Sequence, residues 1–123
     1  MTVWEFHEYV GASGIAPVSE WYNGLSPKNR AMADKFIRIA RQLAHIQKPY
    51  FKTFRDLLEA RWSGENKVPH RIFCYISADR HVTFLCGCTH KDKRYKPPGA
   101  YKTALRRRKE IEEGSATTRE LDF

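Results

Sequence analysis

The sequence predicts an α+β domain: two N-terminal helices packed on one face of a small, mainly antiparallel sheet, then a C-terminal helix. Two observations carry this prediction. Apolar residues recur at helical spacing as far as residue 47, then at a spacing of two between residues 56 and 89. Only short turn signals separate the later segments, which joins them into an antiparallel meander. Length bounds the answer, because 123 residues hold one domain. The domain is expected over 1–113, with 114–123 as a flexible C-terminal tail.

Residues 2–10 alternate around Val3, Trp4, Phe6, Tyr9 and Val10, which reads as an opening strand ended by Gly11 and Gly14. Pro17 suits a first helical turn, and Val18, Trp21, Tyr22 and Leu25 give the buried stripe behind it. Gly24 and the Ser26-Pro27 pair end that helix. Ser26 is a good cap for a longer one, which runs to about Gln47 with Ala33, Phe36, Ile37, Ala40, Leu43 and Ala44 inward. Pro49 stops it. Strands are expected over 56–62, 69–77 and 81–89, joined by the Ser63-Gly64-Glu65-Asn66 loop and the Ala78-Asp79-Arg80 turn. A loop containing Pro97, Pro98 and Gly99 leads to the last helix, which ends near Glu113 with Tyr101, Ala104 and Leu105 inward. Its final acids, Glu110, Glu112 and Glu113, oppose the helix dipole.

Charge is more telling in its position than in its size. The net charge is +8, and residues 90–109 hold nine Lys/Arg against the single acid Asp92. The remaining 103 residues are therefore neutral as a set, and the whole excess sits in one segment. Such polarisation attracts polyanions, with an acidic protein as the other partner that charge allows. The chain has no 18-residue apolar run and no secretion signal, so a membrane span is not expected. Three cysteines, an odd count, fit reduced thiols and a cytoplasmic location.

Alternation assigns the faces. Leu57, Glu59 and Arg61 point one way and Leu58, Ala60 and Trp62 the other. Arg71, Phe73 and Tyr75 oppose His70, Ile72, Cys74 and Ile76. The more apolar Ile72/Cys74/Ile76 set is expected beneath the helices. The other face, with Arg61 and Arg71 on neighbouring strands, is then left for a ligand. Val82, Phe84, Cys86, Cys88 and His90 share a parity. Cys86, Cys88 and His90, with Cys74 alongside, have the residue types of a zinc site. Core packing is the preferred account of these thiols, because structural zinc sites favour Cys-x2-Cys turns. No metal or cofactor is expected. Trp4, Trp21 and Trp62 are assigned to the core; His7, His45, His70 and His81 are scattered and assigned no role.

Leu58-Glu59-Ala60-Arg61, His70-Arg71-Ile72-Phe73-Cys74-Tyr75 and the His90–Pro97 loop, in this order, resemble the RelE/ParE superfamily of toxins. The nearest likeness is to the phage-derived, HigB-like branch of type II toxin–antitoxin systems, over roughly residues 3–113. His90 stands where that family has its first loop lysine, and Tyr95-Lys96-Pro97-Pro98 reads one residue longer. The resemblance implies a ribosome-dependent mRNA endoribonuclease whose partners are mRNA, ribosomal RNA and a small antitoxin, often with a helix-turn-helix. The same resemblance admits a ParE-like gyrase inhibitor. A non-catalytic nucleic-acid-binding protein would carry the same charge.

The residues fit a metal-free route, since the scattered acids offer no cluster for paired magnesium ions. In that route the ribose 2′-OH attacks its own phosphate, which needs a base, a cation on the developing charge and an acid. Arg61 and Arg71 suit the cation, and an ion pair with Glu59 or another acid is their structural alternative. His90 suits a proton transfer in either direction. Lys91 or Lys93 could serve as base, and Tyr95 could stack on a nucleobase or donate a proton. Arg94, Lys96, Lys102, Arg106, Arg107 and Lys109 are expected to hold RNA backbone, the helical ones facing outward.

Overall fold

The structure, a computed structural model, describes residues 3–123. Strand β1 (Glu5–Val10) alternates across the sheet, with Phe6 in one core and Tyr9 in the other. The expected strand start at residue 2 lies outside the described residues. Helix α1 (Pro17–Asn23) carries Pro17 in its first turn. Helix α2 (Pro27–Ala40) starts from Ser26, whose hydroxyl accepts the Asn29 amide at 3.1 Å. Val18 of α1 and Phe36, Ile37 and Ala40 of α2 bury against Phe6, Ala60, Ile72, Cys74, Val82 and Phe84.

Helix α2 ends at Ala40, well short of Gln47. The carbonyl of Arg41 instead receives the amides of Val3 and Trp4 at 2.8 and 3.1 Å. That carbonyl would have bonded residue 45 in a continuing helix, so entry of the chain into the sheet competes directly with the helix. Leu43 and Ile46 pack on the same core from the turn that follows.

Among the described residues, seven strands make one open, mostly antiparallel sheet. After α2 come β2 (Phe51–Phe54), β3 (Leu57–Ser63), a single 3-10 turn (Glu65–Lys67), β4 (Pro69–Ala78), β5 (His81–Lys91) and β6 (Arg94–Lys96). Helix α3 (Ala100–Glu113) and β7 (Thr117–Glu120) complete the chain. The strand order is β2-β3-β4-β5-β1-β7, with β1 parallel to β5 and the other pairs antiparallel. Strand β6 pairs with the far end of β5, on the edge that β1 uses at the near end. Strands β2 and β6 extend the meander at its two ends, where the sequence signals loops.

Strand β5 switches face part-way along. Its register with β4 runs from Phe73 opposite Cys86 to Cys74 opposite Phe84, which leaves Leu85 without a partner on β4. Such a bulge inverts the alternation beyond it. Val82 and Phe84 enter the core under α1 and α2, whereas Leu85, Cys86 and Cys88 enter a second core with Phe73, Ala100 and Ala104. Arg107 of α3 fills the defect by donating to the Leu85 carbonyl at 2.8 Å. The shared parity expected of Val82, Phe84, Cys86, Cys88 and His90 is therefore broken at Leu85.

The face expected to stay open is instead partly roofed by α3. Tyr101, Ala104 and Leu105 pack there as expected, against Phe73, Leu85 and their neighbours. The acids at the end of α3 each find a partner. Glu110 accepts from the Tyr9 hydroxyl at 2.6 Å, Glu112 pairs with Arg108 at 3.2 Å and Glu113 with Lys109 at 3.8 Å. Gly114, at φ 82°, closes the helix in the left-handed conformation.

Residues 114–123 are not a loose tail. Strand β7 adds to the edge of β1, Leu121 is buried in the first core, and Phe123 stacks on Tyr22 with ring centroids 4.0 Å apart. The anchor is Glu8, fully buried on β1. It accepts from the Ser19 amide and hydroxyl at 3.0 and 2.6 Å and from Arg119 Nε at 3.1 Å. One carboxylate thus joins β1, α1 and β7. Arg119→Ala strips the cation from a buried carboxylate and is expected to cost about 3 kcal/mol in urea unfolding; an unchanged midpoint would mean the segment adds nothing. Gly87 gives a second test, since a Cβ there would lie 2.3 Å from the Trp21 ring. Gly87→Ala is expected to destabilise by about 1–3 kcal/mol by prising α1 off β5.

Candidate functional site

The α3-facing side of β3, β4 and β5 continues past the N-terminus of α3 as a polar patch. Arg61 stands directly opposite Arg71, and Arg71 opposite Cys88, so the three form one row across the sheet. Glu59 is two residues before Arg61 and shares its face. At the edge, β5 turns back as β6 through Asp92 and Lys93, which take φ values of 52° and 63° as a two-residue hairpin requires. The residues around His90–Lys96 are thus a β-hairpin rather than a loop. It sets Tyr95 opposite His90, with the two rings stacked 4.5 Å apart.

Glu59 is the centre of this patch. It is only 4% exposed and accepts from the Tyr95 hydroxyl at 2.5 Å. Arg61 Nε lies 3.4 Å and Arg71 Nε 3.6 Å from its other oxygen. Two guanidiniums around one carboxylate leave a local excess of one positive charge. Arg71 is nearly buried, and its Nη1 is committed to the carbonyls of His70 at 2.8 Å and Trp62 at 3.3 Å. Burial and the neighbouring Arg61 both pull its pKa down, yet guanidinium starts so high that it stays charged. Arg61 is a third exposed and is the guanidinium that can reach outward.

Tyr95 reaches Glu59 over an aromatic floor, its ring edge-on to Phe54 and Phe73. Burial, then the hydrogen bond to Glu59, raises the phenol pKa well above its usual value. Tyr95 is therefore a neutral donor rather than a base. His90 lies half-exposed at the rim of this group.

The remaining cations divide. Lys91, Lys93, Arg94 and Lys96 are exposed on the hairpin, and Lys102, Arg106 and Lys109 form an exposed stripe on α3. Arg107 does not face outward: it is tied to Leu85 and lies 5.5 Å above the Tyr9 ring. Arg108 is held over Tyr75 at 4.4 Å. Beneath the other face of the hairpin, Trp21, Leu25, Thr89, Lys96, Pro97 and Pro98 line a cleft of about 690 Å³.

The structure does not bring the four candidate zinc ligands together. Cys74 faces α1 and α2, while Cys86 and Cys88 face α3, so the sheet separates them. All three are free thiols, and burial raises the pKa of each, which suits core packing. Sequence alternation brings Arg61 and Arg71 together correctly, but gives Glu59 only the part of an ion-pair partner. Its parity with Arg61 is the signal that marks it.

No family model, curated protein or solved structure matches the chain. Glu59→Gln keeps the shape and removes the charge that the two arginines face. It is expected to raise affinity for a single-stranded oligonucleotide. The log-log salt dependence should steepen by about 0.7 per additional phosphate engaged. Fluorescence anisotropy at several salt concentrations measures both.

Proposed function

We propose that the chain is a RelE-like, HigB-type toxin of a type II toxin–antitoxin system. In this reading it is an endoribonuclease that cuts mRNA on the ribosome by metal-free transesterification. The observation that carries the reading is the convergence of Arg61, Arg71, Tyr95 and His90 on one sheet face beside a strongly cationic hairpin. The three-helix α+β fold with its mostly antiparallel sheet is compatible with the RelE-like architecture.

Each residue then has a task. Arg61 takes the scissile phosphate oxygens, and Arg71, fixed behind it, adds positive potential without moving. The 2′-OH attacks phosphorus as the P–O5′ bond breaks, leaving a 2′,3′-cyclic phosphate and a 5′-OH. His90 takes the 2′-OH proton as that oxygen attacks and returns a proton to O5′ as it leaves, while Tyr95, its hydroxyl given to Glu59, holds His90 by ring stacking. Lys91 and Lys93, at the hairpin turn, serve phosphate contacts. Arg94, Lys96, Lys102, Arg106 and Lys109 track the backbone of mRNA and ribosomal RNA in the cytoplasm. An acidic antitoxin segment laid over this surface would neutralise it.

One observation favours a second reading, a nucleic-acid-binding protein without chemistry. Glu59 already faces both arginines, and Arg71 is further bound by backbone carbonyls. Expression of the chain in bacteria is expected to arrest growth and translation. Arg61→Ala and His90→Ala should each relieve the arrest while thermal unfolding stays within a few degrees. Arg71→Ala is a less clean probe because it also releases two carbonyls. Mapping of mRNA 5′ ends should show codon-phased cuts bearing 5′-OH termini. Full toxicity of both variants would refute the site, and intact mRNA with retained RNA binding would establish the second reading.

A further inference from the structure

A second cluster sits at the other end of β5. His81 and Lys91 are the first and last residues of that strand, about 30 Å apart at ~3.3 Å per residue. Parallel pairing sets Glu5 of β1 beside His81, and His7 follows two residues along β1 on the same face. His81 Nε2 lies 2.6 Å and His7 Nε2 3.7 Å from the same Glu5 oxygen. The two imidazole rings are 5.1 Å apart, and one ligand atom from each of the three residues falls within 4.8 Å of the others.

A close polar contact accounts for only part of this arrangement. It joins His81 to Glu5, but His7 Nε2 is shielded from solvent with no hydrogen-bond partner among the described residues. A sheltered imidazole nitrogen aimed at a carboxylate and a second imidazole is an incomplete set that a cation completes. Two nitrogens and one carboxylate oxygen suit a borderline ion such as Zn²⁺ rather than magnesium or calcium, which prefer oxygen. With bonds of ~2.0–2.1 Å, a tetrahedral ion holds its ligand atoms about 3.4 Å apart. The observed separations bracket that value. Glu5, whose side chain is 60% exposed, is free to supply the adjustment.

We infer that Glu5, His7 and His81 bind one Zn²⁺-class ion, with a coordination position left to solvent. Glu120 of β7 stands opposite His7 in the register, but its carboxylate lies outside the cluster of ligand atoms. The bound ion would pin β1 to β5 across the parallel ladder. It lies far from the arginine patch and is independent of the proposed RNA chemistry.

The test is titration of the full chain, stripped with a chelator, using Zn²⁺ in calorimetry and Co²⁺ in visible absorption. The expected result is one ion per chain at neutral pH, with the spectrum of a low-coordinate Co²⁺ site. His7→Gln, His81→Gln and Glu5→Gln should each weaken binding at least tenfold, while a Cys86→Ser/Cys88→Ser/His90→Gln variant binds as before. Zn²⁺ should raise the thermal midpoint of the unaltered chain and not that of His81→Gln, both starting folded by circular dichroism. Absence of saturable binding overturns the site, as does binding that survives loss of both His7 and His81. Either result leaves the toxin reading untouched, because no RNA measurement enters the test.

Discussion

The bulge at Leu85 is the constraint on which the rest of the molecule depends. Strand β5 pairs with β4, β1 and β6 and contributes side chains to both cores. A strand with unbroken alternation would turn Cys86, Cys88 and His90 towards α1 and α2, away from Arg61 and Arg71. One extra residue sends them to the other face and puts Gly87, with no side chain, under Trp21. Arg107 spends its charge on the carbonyl the bulge strands. The position of His90 next to Tyr95 is thus decided several residues upstream, by packing.

A buried carboxylate between two guanidiniums is an expensive arrangement, because each ion gives up hydration that the others only partly replace. Glu59 reduces that cost by taking the Tyr95 hydroxyl, and Arg71 by bonding two carbonyls. What remains is a fixed positive field with one adaptable arm, Arg61. Fixed dipoles and charges favour a developing negative charge most when they need not reorganise. On the proposed reading, a phosphate reaching Arg61 would meet a site whose geometry is already set by β3, β4 and the hairpin.

Much of this was legible in the sequence, and the failures have physical causes. Alternation placed Arg61 beside Arg71 because both lie on regular strands with an apolar opposite face. The bulge was hidden because Leu85 is apolar and both flanking cores accept apolar residues. Leu43 and Ala44 continued a helical stripe, but periodicity does not register that the Arg41 carbonyl bonds the opening strand instead. Thr117–Glu120 is polar in sequence, and its order comes from Glu8 and the edge of β1, both more than a hundred residues away. His7 and His81 looked scattered because only a parallel pairing makes them neighbours.

That parallel pairing also bears on folding. Strands β3, β4 and β5 join sequence neighbours through short turns, so their ladders close small loops at little entropic cost. Strand β1 must find β5 across both helices and the whole meander, a non-local contact of the kind that slows folding. Strand β7 pairs with β1, so it joins the rest of the sheet through that long-range contact.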